Sequence, residues 1–122
     1  MTDQQIETEI VAKGKTAPRI TPDHIESVIS ECHFFTAGDA HRAAWVLTEM
    51  KDAASPALNQ LTFCVLVLRN GFTVTGESAC ASPENFDAEI GRKIARQNAV
   101  NKIWLLEGYL LKDRIHADAH LK

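Results

Sequence analysis

One short segment limits what this chain can become more than any other. The run Phe63-Cys64-Val65-Leu66-Val67-Leu68 is followed, after Arg69, by Asn70-Gly71 and then by Phe72-Thr73-Val74-Thr75. Two β-prone runs around the dipeptide that best tolerates positive φ angles predict an antiparallel hairpin over about residues 62–77, with its turn at Asn70-Gly71. A two-residue loop would set Arg69 opposite Phe72, Leu68 opposite Thr73 and Val67 opposite Val74. One side then carries Phe63, Val65, Val67, Phe72 and Val74 and reads as core. The other carries Cys64, Leu66 and Leu68 with Thr73, Thr75 and Glu77. That side is too apolar along its first strand to face water alone, so the first helix or another subunit must cover it.

Beyond Gly76, Ser82-Pro83-Glu84 combines a capping residue, a proline at the first helical position and an acid suited to the positive end of a helix dipole. No strong breaker follows before Arg114, so a helix over about residues 83–114 is expected. Such a helix spans about 48 Å, more than a domain of this size is across, and it must protrude, bend or pair. Phe86, Ile90, Ile94 and Leu105 fall on one side of it; Ala88, Ala95, Ala99, Ile103, Leu106 and Leu110 fall on the opposite side. Either it kinks between Arg96 and Asn101, where Gln97, Asn98 and Asn101 interrupt the first stripe, or it lies between its own hairpin and a partner. The second alternative makes the chain a homo-oligomer. Gly91 and Gly108 suit close helix approach.

Upstream of the hairpin, residues 1–20 are polar and read as a flexible arm, leaving residues 21–122 as a single domain. Thr21-Pro22 opens a helix in which Ile25, Val28, Ile29 and Cys32 form one apolar stripe, closed at Gly38-Asp39 after Phe34-Phe35. Asp39 can cap a second helix through about Lys51, with Ala43, Leu47, Met50 and Ala54 on one side, ended by Ala54-Ser55-Pro56. The expected fold class is therefore α+β: an N-terminal helix or helices, an antiparallel hairpin and a long C-terminal helix.

With 16 acidic against 13 basic residues in 122, the net charge is -3. The surface as a whole is not a nucleic-acid-binding field, and any anion site must be local. No stretch approaches the roughly 18 apolar residues of a membrane span, and Met1 to Lys13 lacks the apolar middle of a secretory signal, which places the expected location in the cytoplasm. Cys32, Cys64 and Cys80 are odd in number and include no C-x-x-C pair, so they read as reduced, packed thiols.

Between Arg92 and Lys102 the helix carries Arg92, Lys93, Arg96 and Lys102 and no acid. Arg92 and Arg96 share a face, and two guanidinium forks on a rigid element can grip phosphate or carboxylate. The segment from Ser78 to Asn85 can add hydroxyl, amide and backbone donors. Arg92, Lys93, Arg96, Asn85 and Ser78 are thus the candidate ligand-binding residues. The plainer reading is a solvated face in which Arg92 and Arg96 pair with Glu89 and other acids. His116 and His120, with Asp113 a turn earlier, have the spacing of two metal-binding imidazoles but no H-E-x-x-H glutamate. His24, His33 and His41 have no evident nucleophile partner, and neither a P-loop nor a G-x-G-x-x-G motif occurs. No catalytic constellation and no cofactor motif is present, so a non-enzymatic role is expected. Trp45, Trp104 and Tyr109 read as core or interface anchors.

The ordered series from Leu61 through Cys80, then Pro83-Glu84-Asn85-Phe86-Asp87, then Lys102-Ile103-Trp104 and Glu107-Gly108-Tyr109-Leu110-Leu111, resembles the gene product 49 / gene product 66 family of tailed phages and prophages. The resemblance covers about residues 61–114. It implies a phage or prophage origin and supplies no catalytic residues. In that context two roles are expected. One is a non-catalytic binding protein that sequesters a small anionic, nucleotide-type immune signal at an oligomer interface, as an anti-defence factor. The other is an inhibitor or host-takeover factor that covers a host protein with an exposed apolar face.

Overall fold

The computed structural model describes residues 1–53 and 55–121. In chain order the elements are α1 (Asp3–Ala12), α2 (Pro22–Ser27), β1 (Ile29–Thr36), α3 (Ala37–Ala44), β2 (Leu61–Leu68), β3 (Thr73–Ala79) and α4 (Ala88–Leu121). Short 3-10 turns lie at Glu49–Asp52, Pro56–Gln60 and Pro83–Asn85. The class is the expected α+β, with helices first, an antiparallel sheet next and a long helix last.

The sheet has one strand more than the sequence reading expected. Thr21 caps α2 by accepting a hydrogen bond from the His24 N–H, but the helix stops at Ser27 instead of carrying the stripe on to Cys32. Ile29–Thr36 forms a strand that pairs antiparallel with β2, giving the order β1-β2-β3. Ile25 and Val28 alone of that stripe are buried. Ile29 and Cys32 obey helical spacing, but β2 offers an open edge, and pairing with it satisfies the backbone groups of alternate residues along the segment.

The hairpin forms with a different turn. The Leu68 N–H donates to the Phe72 C=O (2.8 Å) and the Gly71 N–H to the Leu68 C=O (2.8 Å), so the loop holds Arg69, Asn70 and Gly71. Among the described residues only glycines take positive φ, and Gly71 does so at 87° while Asn70 does not. This is the three-residue loop in which the last residue is left-handed, and Asn70 Oδ1 completes it by accepting from the Phe72 N–H at 2.9 Å. The pairs are therefore Val67 with Thr73, Leu66 with Val74 and Val65 with Thr75, one residue away from the expected register. The assignment of faces changes with it. Thr62, Cys64, Leu66 and Leu68 are buried, together with Val74 and Gly76, whereas Phe63, Val65 and Val67 are only half-buried and Phe72 is 55% exposed. The cover that Cys64, Leu66 and Leu68 needed comes from α4, with Ile25 and Val28 beside it.

Helix α4 is continuous, with no break between Arg96 and Asn101. It begins at Ala88 instead of 83. Pro83–Asn85 is a 3-10 turn, and Asp87 Oδ1 accepts the Ile90 N–H (3.0 Å) as the cap. Gly91, Ala95, Ala99, Val100 and Ile103 are its buried residues, so the expected Ala95-Ala99-Ile103 stripe is the one that packs. Ile90, Ile94 and Leu105 stay exposed. Contact with the sheet is closest at Gly76, where a Cβ would lie 2.1 Å from the Ala95 carbonyl oxygen and 2.3 Å from the Ala99 nitrogen. Gly91 faces Thr62 Oγ1, 3.1 Å from where its Cβ would be, so it admits a strand and not another helix; around Gly108 the space is open.

The first twenty residues, read above as an arm, contain α1. Thr2 and Gln5 form a reciprocal capping box on it. Glu7 pairs with Arg19, which holds the Glu7 carboxyl below its ordinary pKa, and Asp3 Oδ2 accepts from Trp104 Nε1 at 3.1 Å. Helix α3 is capped by Thr36, with Asp39 at the third position returning a bond to the Thr36 N–H; Asp39 is thus not itself the cap. It ends at Ala44, well short of Lys51. Trp45, Leu47 and Met50 are largely exposed, so no apolar stripe runs through them. Ala54 of that expected stripe, and Lys122 at the end of the expected domain, lie outside the described residues.

Candidate functional site

The residues expected to grip an anion are deployed separately. Arg96 spends both guanidinium nitrogens on Glu26 of α2, at 3.1 and 2.8 Å, an ion pair that raises the pKa of Arg96. Lys93 lies 3.2 Å from Glu89, and both are well exposed. Arg92 is exposed and has no carboxylate within ion-pairing distance among the described residues. Asn85 sits exposed in the 3-10 turn before α4, and Ser78 lies within β3, half-buried opposite Thr62. Part of the solvated-face reading thus holds, with different partners: Lys93 takes Glu89, and Arg96 takes Glu26.

A concavity of different character lies elsewhere. Where α4 runs past the end of the sheet, a groove of about 780 Å³ opens between its 105–114 segment, α2 and the hairpin tip. Val28, Leu68 and Phe72 line one side and Leu105, Leu106, Tyr109 and Leu110 the other. Leu106 and Leu110 continue the stripe that Ala95, Ala99 and Ile103 bury against the sheet, so the groove is the same helix face after its cover runs out. Tyr109 is 73% exposed. Two cations, Arg69 from the hairpin loop and Arg114 from α4, belong to the lining and are exposed. His24 Nε2 is closed off from solvent without a hydrogen bond, its nearest acid being Glu107 Oε1 at 3.5 Å. None of the five expected ligand-binding residues lines this groove. The sequence did signal Leu106 and Leu110, through the stripe they share with Ile103. It gave no sign of Phe72, which the two-residue turn had placed in the core.

The other reactive groups are quiet. Cys64 is fully buried, with its Sγ 3.9 Å from that of Cys32; burial first, and the neighbouring thiol second, push the Cys64 thiol up to about 12. A thiol so held is a packing group and not a nucleophile. Cys80 Sγ donates to the Ser82 carbonyl at 3.1 Å. The His116 and His120 rings lie with centroids 4.2 Å apart, tilted by 48°, and His120 Nδ1 is hydrogen-bonded to the His116 carbonyl (2.8 Å). Among the described residues no group of three or more His, Cys, Asp or Glu side chains is placed to hold a metal ion. No helix among them is long and apolar enough to cross a membrane.

Nothing among curated proteins and nothing among solved structures matches the chain. The sequence profile of the Phage protein (N4 Gp49/phage Sf6 gene 66) family does, over residues 20–115. The match begins upstream of the 61–114 motifs and takes in α2, β1 and α3 as well as the hairpin and α4 as far as residue 115. This chain belongs to that phage protein family.

Proposed function

We propose that this phage protein is a non-catalytic binding protein that sequesters a small anionic ligand with a flat aromatic part, of the nucleotide class, in the groove beside the end of α4. The observation that carries the reading is the combination in one concavity of Phe72 and Tyr109, both largely exposed, with the cations Arg69 and Arg114. A base stacks on an aromatic face, and a guanidinium fork binds phosphate bidentately. The groove serves better than the Arg92–Arg96 face, because Glu26 already neutralises Arg96. In a phage protein, capture of a host nucleotide signal needs affinity and no turnover. Isothermal titration with linear and cyclic mono- and dinucleotides tests this. A saturable heat with one member of the panel, weakened at least tenfold by Arg69→Ala with Arg114→Ala, is expected. A folded protein that binds none of them overturns it.

A second reading rests on the apolar character of the groove walls, which suits an amphipathic helix of a host protein laid against Leu105, Leu106 and Leu110. It predicts that Leu106→Asp with Leu110→Asp abolishes recovery of one stoichiometric host protein from a lysate. Recovery unchanged by the double substitution counts against it.

A further inference from the structure

We infer that β1 is a dimerisation edge, at which a second copy of this chain adds its own β1 antiparallel, with Cys32 opposite Cys32 across the twofold axis.

Strand β1 lies at the edge of the sheet, and every residue from Ser30 to Phe35 is exposed. Helix α4 lies over β2 and β3; on the helix-side face of β1 the Arg96 side chain reaches Cys32, and Cys32 and Phe34 both keep part of their surface exposed. Natural edge strands are usually protected by lysine, proline or a bulge in mid-strand. Ile29–Thr36 contains neither lysine, arginine nor proline, and its one register shift falls at the start, between Ile29 and Glu31.

Hydrogen-bond alternation determines which groups the edge offers. Leu68 bonds to Phe72 across the hairpin, so the even-numbered residues of β2 bond to β3 and the odd-numbered ones to β1. Glu31, His33 and Phe35 are therefore the β1 residues bonded to Val67, Val65 and Phe63. The N–H and C=O groups of Cys32 and Phe34 point out of the sheet. Thr36 has the same parity, but its N–H is taken by Asp39 Oδ2 at 3.0 Å, which stops the open edge at Phe34.

A strand that pairs with itself about a twofold axis must match outward residues with outward residues. Centring on Cys32 does so, and it sets Glu31 of each copy directly opposite His33 of the other, on the face away from α4. These are closely spaced positions of the ladder, where side chains interact most strongly. Within one chain Glu31 and His33 already meet at 2.9 Å, so the dimer gathers two acids and two imidazoles in an alternating square. Centring one residue later, on His33, would set Glu31 against Phe35 and require the Thr36 N–H that Asp39 already holds. The surface is thus complementary to itself in one register, which is why a second copy, and not an unrelated strand, is the occupant. On the helix side the pairing fills the bare strip between the two α4 helices with both copies of Cys32 and Phe34.

Size-exclusion chromatography with light scattering, on the full chain at ~5 to ~100 µM, reads the mass directly. The expected result is twice the 13.5 kDa chain mass, falling to one chain for Phe34→Lys and for Cys32→Pro. Proline at Cys32 removes an N–H that has no partner within the subunit, so the subunit tolerates it as edge strands do. If Cys32→Pro unfolds, Phe34→Lys decides, with circular dichroism as the check that it is folded. In the same samples the Cys32 and Phe34 amide protons should exchange at least tenfold more slowly in the wild type than in Phe34→Lys. A wild type that is monomeric at the highest concentration overturns the inference. So does a dimer that survives Phe34→Lys or a folded Cys32→Pro. Neither outcome bears on the groove, whose lining includes no residue of β1.

Discussion

At the scale of single residues, Gly76 carries the tightest constraint. Its missing side chain lets β3 reach the backbone of α4, and a methyl group there would collide with main-chain atoms of Ala95 and Ala99, which cannot rotate aside. Gly76→Ala should cost about 3 kcal/mol, the upper end of ordinary overpacking, and lower the urea midpoint of unfolding. Cys64 makes the opposite kind of statement, about protonation. Its folded pKa, pushed up to about 12 mainly by burial, lies well above that of an ordinary thiol, so the folded state keeps a proton that the unfolded chain releases. That contribution is complete below pH ~9 and is lost as pH rises from there toward 12, with a slope of at most about 1.4 kcal/mol per pH unit. Urea unfolding at pH 8 and pH 10 should therefore show a steeper alkaline loss in the wild type than in Cys64→Ala. Equal slopes would remove the Cys64 thiol from the account.

At the scale of elements, the hairpin loop isolates a backbone effect from a packing effect. Gly71 has a φ of 87°, and nothing lies within 4 Å of where its Cβ would be. Gly71→Ala should cost about 1 kcal/mol purely through the left-handed conformation, and Gly71→Asn less. A thermal melt of the two variants checks the order. The same loop shows how far the sequence could be read. Asn70-Gly71 announced a hairpin correctly, but the dipeptide serves a three-residue loop as well as a two-residue one. The choice rests on one φ angle at Asn70, and it moved every cross-strand pair by one. Helix α4 was legible because both of its apolar stripes keep the helical period over a stretch without a strong breaker; which stripe packs, Ala95-Ala99-Ile103, is decided by the sheet. Strand β1 was not, because Ile25, Val28, Ile29 and Cys32 fit a helix, and an edge strand exposed on both faces shows no alternation. The partner of Arg96 was hidden for a similar reason. The spacing of Arg92 and Arg96 is local, but the Glu26 carboxylate that occupies Arg96 comes from seventy positions away in the chain.

At the scale of the whole molecule, the first helix is tied to the last. Trp104 in α4 donates to Asp3 in α1, and Gln97 reaches the same carboxylate at 3.4 Å. Asp3→Ala leaves the half-buried indole N–H without its acceptor and should cost about 1 kcal/mol. It should also speed amide exchange throughout α1 while leaving the β2–β3 amides unchanged. Unaltered exchange in α1 would mean that the helix is held by Glu7 and Arg19 alone. The cover of the sheet likewise comes from a distance. Every strand is complete in sequence before the first residue of α4, yet Cys64, Leu66 and Leu68 find their lid only in that helix. On the ribosome the three strands therefore come out ahead of their lid, and until it folds over them they present an apolar sheet face with an open edge at β1. Newly made chains pass through that exposed interval at every round of synthesis, and it is then that sheet faces of separate chains are most open to one another.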